Sequence, residues 1–193
     1  SVRGIAEAAV AVAAEHNTRQ WLSWGTILSG WALAIGGEGD DGLARLQEGL
    51  AGWRGEDLFA VPYFLGLKAE VLDAIERTSE GLDSLRKAIE LSEQGGQKFY
   101  LSELHRLQGA LLLRENRTEE AEKSLKRALD VARQQKARSL ELRAGVCLAR
   151  IWTNSRKGKE AIEVLTEVHD WFTEGVDSID LKEAEHLLQK SSV

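Results

Sequence analysis

The stretch GALLLRENRTEEAEKSLKRALD, residues 109–130, contains the unit from which the rest of the chain can be read. Two segments with apolar residues at helical spacing flank a polar break at Glu115 to Thr118. Gly109 stands 12 positions before Ala121, Leu125 follows four positions later, and Ala128 three beyond that. The same arrangement recurs outward in steps of 39, 40 and 40: Gly42, Gly81 and Ala161 match Ala121, and each is followed four residues later by Leu46, Leu85 or Leu165. Gly49, Ala88 and Val168 match Ala128, while Gly30, Ala69 and Ala149 match Gly109. Self-similarity at a fixed period of this length marks stacked supersecondary units, each of which buries its apolar face only against a neighbour.

Further breaks at Gly36 to Asp41, Arg77 to Ser79 and Asn154 to Gly158 divide the chain into helices. The first helices of the pairs, the A helices, are expected at 18–35, 57–75, 98–115 and 138–154. Their B partners are expected at 41–53, 79–94, 118–135 and 158–172, with a last helix at 180–190. Pro62, the single proline, suits a first helical turn, where no internal hydrogen bond is lost. Thr118 is read as an N-cap followed by Glu119 and Glu120 at the positive end of the helix dipole. Glu119 with Lys123 and Glu122 with Lys126 form i,i+4 pairs. Asp180 is read as the cap of the last helix, with Glu183 reaching back. Small residues at the recurring positions let paired helices approach, so a bulky residue at Ala121 is expected to cost roughly 1–3 kcal/mol.

Bulk properties narrow the function. A chain of 193 residues with 43% hydrophobic content buries enough surface to fold without a metal or disulfide staple. A formal charge of −6 opposes a general nucleic-acid-binding role, which needs a dominant basic surface. The alanine-rich opening, residues 5–14, is interrupted by Glu7 and is too short to span a bilayer, and no secretory leader is read. The single cysteine, Cys147, is consistent with a reducing, cytoplasmic compartment. Ala9 precedes Gly30 by 21 residues, as Ala88 precedes Gly109, so the chain starts in the second helix of a repeat and reads as a fragment of a longer protein.

The small residue followed 12 and then seven positions later by others resembles the tetratricopeptide pattern. The repeat is nearer 40 than 34 residues, and Arg54, Glu93, Arg133 and Thr173 stand where that family often ends a unit with proline. The resemblance implies an all-α, tetratricopeptide-like right-handed superhelix of antiparallel helix pairs with a C-terminal capping helix. The expected organisation is a single domain over 1–193: a partial repeat at 1–16, pairs at 17–55, 56–95, 96–135 and 136–175, and a cap at 176–193. SELHRLQGALLL (102–113), ARSLELRAGVCLARIW (137–152) and WFTEGVDSIDLKEAEHLL (171–188) resemble the C-terminal tetratricopeptide-like region of large bacterial regulators. In those regulators it follows an ATPase-like domain and often a class III adenylate or guanylate cyclase domain; Val176 replaces an aromatic of that family. The resemblance implies a regulatory or scaffolding segment, with any cyclase or ATPase activity in other domains.

Catalytic readings are weak. Gly37-Glu38-Gly39-Asp40-Asp41-Gly42 is a literal G-x-G-x-x-G, but a helical segment precedes it and three carboxylates would repel a pyrophosphate, so it reads as a turn. His16, His105, His169 and His186 have no metal-ligand spacing, and His105 falls at a packing position one turn before Gly109. His169 and Asp170 should diverge on a helix, Cys147 reads as a buried inert thiol, and Glu70 with Asp73 as an acidic groove wall. No catalytic residue, metal or cofactor is expected.

The resemblance also places the residues six and three before, and one and four after, each small A-helix residue on a concave groove. Those offsets select Trp24, Ile27, Trp31, Tyr63 and Glu70, then Glu103, Arg106, Leu113, Arg143, Val146, Arg150 and Thr153. Trp24, Trp31, Tyr63, Glu70, Glu103, Arg106, Arg143 and Arg150 are the candidate partner-binding set, suited to a peptide or helix with an apolar anchor and acidic groups. The alternative is that the tryptophans pack in the core and the arginines pair with acids such as Glu103. Ala110 and Arg150 replace asparagines of the chaperone-binding type, so chaperone tails are not expected. Loss of partner capture with helicity intact is the expected effect of Arg106→Glu with Arg150→Glu. The reading is a non-enzymatic interaction and regulatory module with a protein or peptide partner, no nucleic acid and no membrane. A small-ligand sensor and a spacer or self-association module are the alternatives.

Overall fold

The computed structural model describes residues 2–16, 18–53, 60–96, 98–152, 157–174 and 178–191. Ser1, Arg54, the expected helix start at 57–59, Thr153, residues 154–156 and Val176 lie outside them. Among the described residues there are ten α-helices and no strand. Two compact units divide the chain, residues 1–97 and 98–193.

The first unit contains α1 (Val2–Glu15), α2 (Arg19–Ile35), α3 (Gly39–Gly52), α4 (Val61–Ala74) and α5 (Thr78–Gly95). The second contains α6 (Leu101–Arg114), α7 (Thr118–Gln135), α8 (Arg138–Trp152), α9 (Gly158–His169) and α10 (Ile179–Ser191). α2 packs on α3, α4 on α5, α6 on α7 and α8 on α9, as the spacing of small residues predicts. Pro62 occupies the first turn of α4.

The turns inside the hairpins repeat with the helices. Glu38 N–H donates to the carbonyl of Leu33, Arg77 N–H to Leu72 and Arg117 N–H to Leu112, at 3.0, 2.8 and 2.9 Å. A residue with positive φ precedes each: Gly37 at 102°, Glu76 at 62° and Asn116 at 59°. This left-handed ending satisfies carbonyls that the last helical turn leaves open.

Two caps differ from expectation. Arg117, not Thr118, occupies the N-cap position of α7, and no side chain caps it. Arg117 instead grips Glu120 with two hydrogen bonds of 2.8 and 2.7 Å, and Arg77 grips Glu80 in the same way at 2.6 and 2.7 Å. At α10, Asp180 lies within the first turn and Ser178 Oγ accepts from Leu181 N–H at 3.4 Å. α9 ends at His169, short of the expected 172.

Small residues set the helix crossings. A Cβ on Gly30 would lie 2.4 Å from the Leu46 amide nitrogen and 2.6 Å from the Gly42 carbonyl oxygen, so α2 and α3 meet backbone to backbone. The core of the first unit gathers Ile27, Leu46, Phe64, Leu67 and Val71, with Trp24, Trp31 and Trp53 packed against it. That of the second gathers Leu125, Leu142, Leu148, Leu165, Leu181 and Ala184. α10 packs on both α8 and α9, with Leu181 and Ala184 buried 40 positions after Glu141 and Ala144. It therefore stands in A-helix register. Its exposed side carries Glu185 and Gln189, joined by a 3.1 Å hydrogen bond.

Candidate functional site

In the first unit, the candidate residues lie on α2 and α4. Trp24 is half-buried among rings, with centroids 5.0 Å from Phe64 and 6.0 Å from Trp53. Ile27 is fully buried and belongs to the core, not to a binding surface. Trp31 Nε1–H donates to Glu70 Oε2 at 3.0 Å, tying one A helix to the next across 39 positions. Burial, reinforced by the Glu70 charge, pushes the Tyr63 phenol above its ordinary pKa. Asp73, on the same helix as Glu70, accepts from Thr78 Oγ at 3.0 Å.

In the second unit, the arginines are paired with acids. Glu103 is 2% exposed, and it accepts from Arg106 Nε at 2.9 Å and Arg106 Nη2 at 2.8 Å. Arg143 Nη1 reaches the same carboxylate from α8 at 2.9 Å. Burial pulls the Arg106 pKa down, but hydrogen bonding and charge from Glu103, with a smaller contribution from Cys147, outweigh it and raise the pKa overall. Arg143 lies 3.9 Å from Asp180, and Arg150 pairs with Glu183, so α10 supplies acids to the exposed side of α8. Leu113 is half-buried and Val146 is buried in the core.

The offset pattern misses a second buried carboxylate. Glu141 is fully buried and accepts from Arg133 Nε at 2.9 Å and Arg138 Nη1 at 2.7 Å. Arg138 lies three residues before it, a signal present in the sequence, whereas Arg133 reaches it from α7. Arg133 also extends to Glu167 on α9 at 2.9 Å.

Cys147 is partly exposed, not buried, and its Sγ stands 3.9 Å from Arg106 Nη1. His105 is buried on α6. His169 and Asp170 do not diverge, because α9 ends there, and Nδ1 comes within 3.4 Å of Oδ1 on the surface. Gly37 forms the turn of the G-x-G-x-x-G stretch, and the Ile75 side chain fills the place of a Cβ at Gly39, 2.2 Å away. Among the described residues no group of three His, Cys, Asp or Glu side chains could hold a metal ion, and no helix is long and apolar enough to cross a membrane.

No family model matches the chain, and no curated protein matches it. Solved structures do. A Podosopora anserina protein described as a kinesin light chain with nearly identical TPR-like repeats superposes with a TM-score of 0.65 at 14% identity, covering 91% of this chain and 84% of its own. A variant of the same protein gives a TM-score of 0.67 at 12% identity with the same coverage. At this identity the likeness speaks for the fold alone. The helix pairs, their turns and these neighbours together make this an all-α, tetratricopeptide-like repeat fold.

Proposed function

We propose that the chain is a non-catalytic protein–protein interaction and regulatory module of a bacterial multidomain signalling protein, of the cyclase or ATPase-type regulator class. Helical-hairpin repeats present long rows of side chains, and such folds typically serve in protein–protein contact. The observation that carries the reading is Arg150, 57% exposed on α8 and paired to Glu183, with Arg143 on the same helix reaching Asp180. Two guanidiniums already holding carboxylates at a surface can exchange them for those of a partner. Arg106 leaves the contact set, because Glu103 takes its fork inside the fold. Trp24, Trp31, Tyr63 and Glu70 offer a separate aromatic and acidic surface on the first unit, suited to an apolar anchor.

The partner is a protein segment carrying acidic groups, whose carboxylates replace those of Asp180 and Glu183 one for one at α8. Arg150→Glu is the direct test, because it reverses the charge at an exposed position. The expected outcome is unchanged helical circular dichroism with loss of binding to the cognate partner in calorimetric titration. Binding at wild-type strength would remove α8 as the site. An upstream nucleotide-binding P-loop and cyclase domain in the reading frame would support the regulator assignment, and unrelated neighbours would reduce it to a general scaffold.

A further inference from the structure

The A helices carry different chemistry at equivalent positions. On α6 an acid and its guanidinium stand three residues apart, with Glu103 Oε1 lying 2.8 Å from Arg106 Nη2. In the same register, 40 positions earlier, α4 has Tyr63 in place of the acid and the buried Gly66 in place of the arginine. Its own carboxylate is Glu70, where α6 has Ala110. α4 therefore presents an acid and places no guanidinium at the position where α6 supplies one.

Glu70 adjoins an aromatic surface. Trp31 Nε1–H donates to its Oε2 at 3.0 Å, a neutral donor that orients the carboxylate and cancels none of its charge. That charge reaches Tyr63, two turns back on α4, where it adds to burial in raising the phenol pKa. The Tyr63 ring lies 5.6 Å from Phe64 and the Trp24 ring 5.0 Å from the same Phe64, so the rings run on from α4 to α2. Trp24, Trp31 and Tyr63 are each only half-buried. Ring faces are the negative part of an aromatic quadrupole and attract cations. The charge of the first unit acts in the same direction: residues 1–97 hold 15 Asp and Glu against eight Lys and Arg, whereas residues 98–193 hold 16 against 17. A negative field of that kind draws cationic groups to the surface.

On the reading of this face as a partner contact, we infer that it takes an arginine side chain of the partner segment, with the guanidinium on Glu70 and the stem along Tyr63 and Trp24. A carboxylate has about four acceptor sites, so the hydrogen bond from Trp31 leaves room for a guanidinium on the same group. Arginine suits the surface better than lysine, because its planar cation is weakly hydrated, stacks on rings and matches a carboxylate fork to fork. Its methylene stem is the apolar part of the anchor, covering ring surface while the charged head reaches the acid. The partner thus brings to the first unit the group that α6 carries in its own sequence.

The indole N–H resonance of Trp31, one of six tryptophans and assigned by its loss in Trp31→Phe, reports on the contact. The 193-residue chain is titrated at constant ionic strength with Nα-acetyl-arginine amide, then with the citrulline analogue, which keeps the shape without the charge, and with Nα-acetyl-norleucine amide. The expected result is a saturable shift with the arginine compound and binding at least about tenfold weaker with the other two. Glu70→Gln, which keeps an acceptor for Trp31 and removes the charge, should weaken the arginine compound by about tenfold or more with the melting curve unchanged. Equal binding of the citrulline or norleucine compound, or indifference to Glu70→Gln, overturns the inference while leaving the face a contact for an apolar anchor. No shift with any of the three overturns it and removes this face from the partner contacts as well.

Discussion

The two units join successive A helices at nearly the same step but with different chemistry. In the first, Trp31 on α2 donates one hydrogen bond to Glu70 on α4, beside a cluster of rings around Phe64. In the second, Arg106 on α6 and Arg143 on α8 converge on the buried Glu103. The repeat thus specifies where helices meet and leaves open what meets there. An aromatic contact gains from burial alone, whereas a buried carboxylate is tolerable only while its cations remain.

That difference predicts the largest effect. Glu103→Ala strands two guanidiniums, one of them deep between helices, and should cost about 3–5 kcal/mol in urea unfolding. Replacing Glu103 and Arg106 together by Leu and Met should recover much of the loss, because apolar packing substitutes well for a buried pair. Equal costs for the single and double replacements would break the contrast between the units.

Helix crossings sharpen the comparison with a smaller effect. Gly30→Ala drives a methyl into backbone atoms of Leu46 and Gly42, which cannot rotate away, and should cost about 3 kcal/mol. At Gly109 the nearest obstacle is the Leu125 side chain, 2.5 Å from the added Cβ, with the Ala121 carbonyl farther off at 3.2 Å. Leu125 is fully buried and yields only against packed neighbours, but a side chain gives more than backbone and alanine regains about 1 kcal/mol of helix propensity, so Gly109→Ala should cost about 1–2 kcal/mol, less than Gly30→Ala. Thermal melts of the two variants distinguish a backbone crossing from a side-chain one.

The glycines and alanines at these crossings made the helix pairs legible in the sequence, because only small residues permit such approach and they recur at one step. The turns were legible too, through polar breaks and Pro62. Thr118 was misassigned because a cap depends on the dihedrals of one residue, and here Arg117 leaves the helix while its side chain turns to Glu120. The candidate site was less legible. Glu103 and Arg106 visibly share a helical face at i,i+3, but neither their burial nor the arrival of Arg143 from 40 residues away is a local property. Ile27 and Val146 show the same limit: a single offset rule cannot tell the exposed edge of an A helix from its buried flank.

The smallest effect concerns acid stability within the second unit. Glu122 on α7 accepts from Lys126 at 2.8 Å and from Lys157, which reaches across from the start of α9. Hydrogen bonding first to Lys126 and then to Lys157 holds its pKa at about 2. Because the folded value lies below the unfolded one, near ~4.3, the stabilisation is complete above the unfolded value and is lost as pH falls through the folded one. Hydrogen exchange on α7 and α9 should therefore lose protection between about pH 4.5 and about pH 2, and Glu122→Gln should flatten that dependence. The Gly30 crossing has no carboxylate at its contact atoms, so its replacement should leave the α7 and α9 profile unchanged. A profile as steep in Glu122→Gln as in the parent chain would show that another acid ties these helices together.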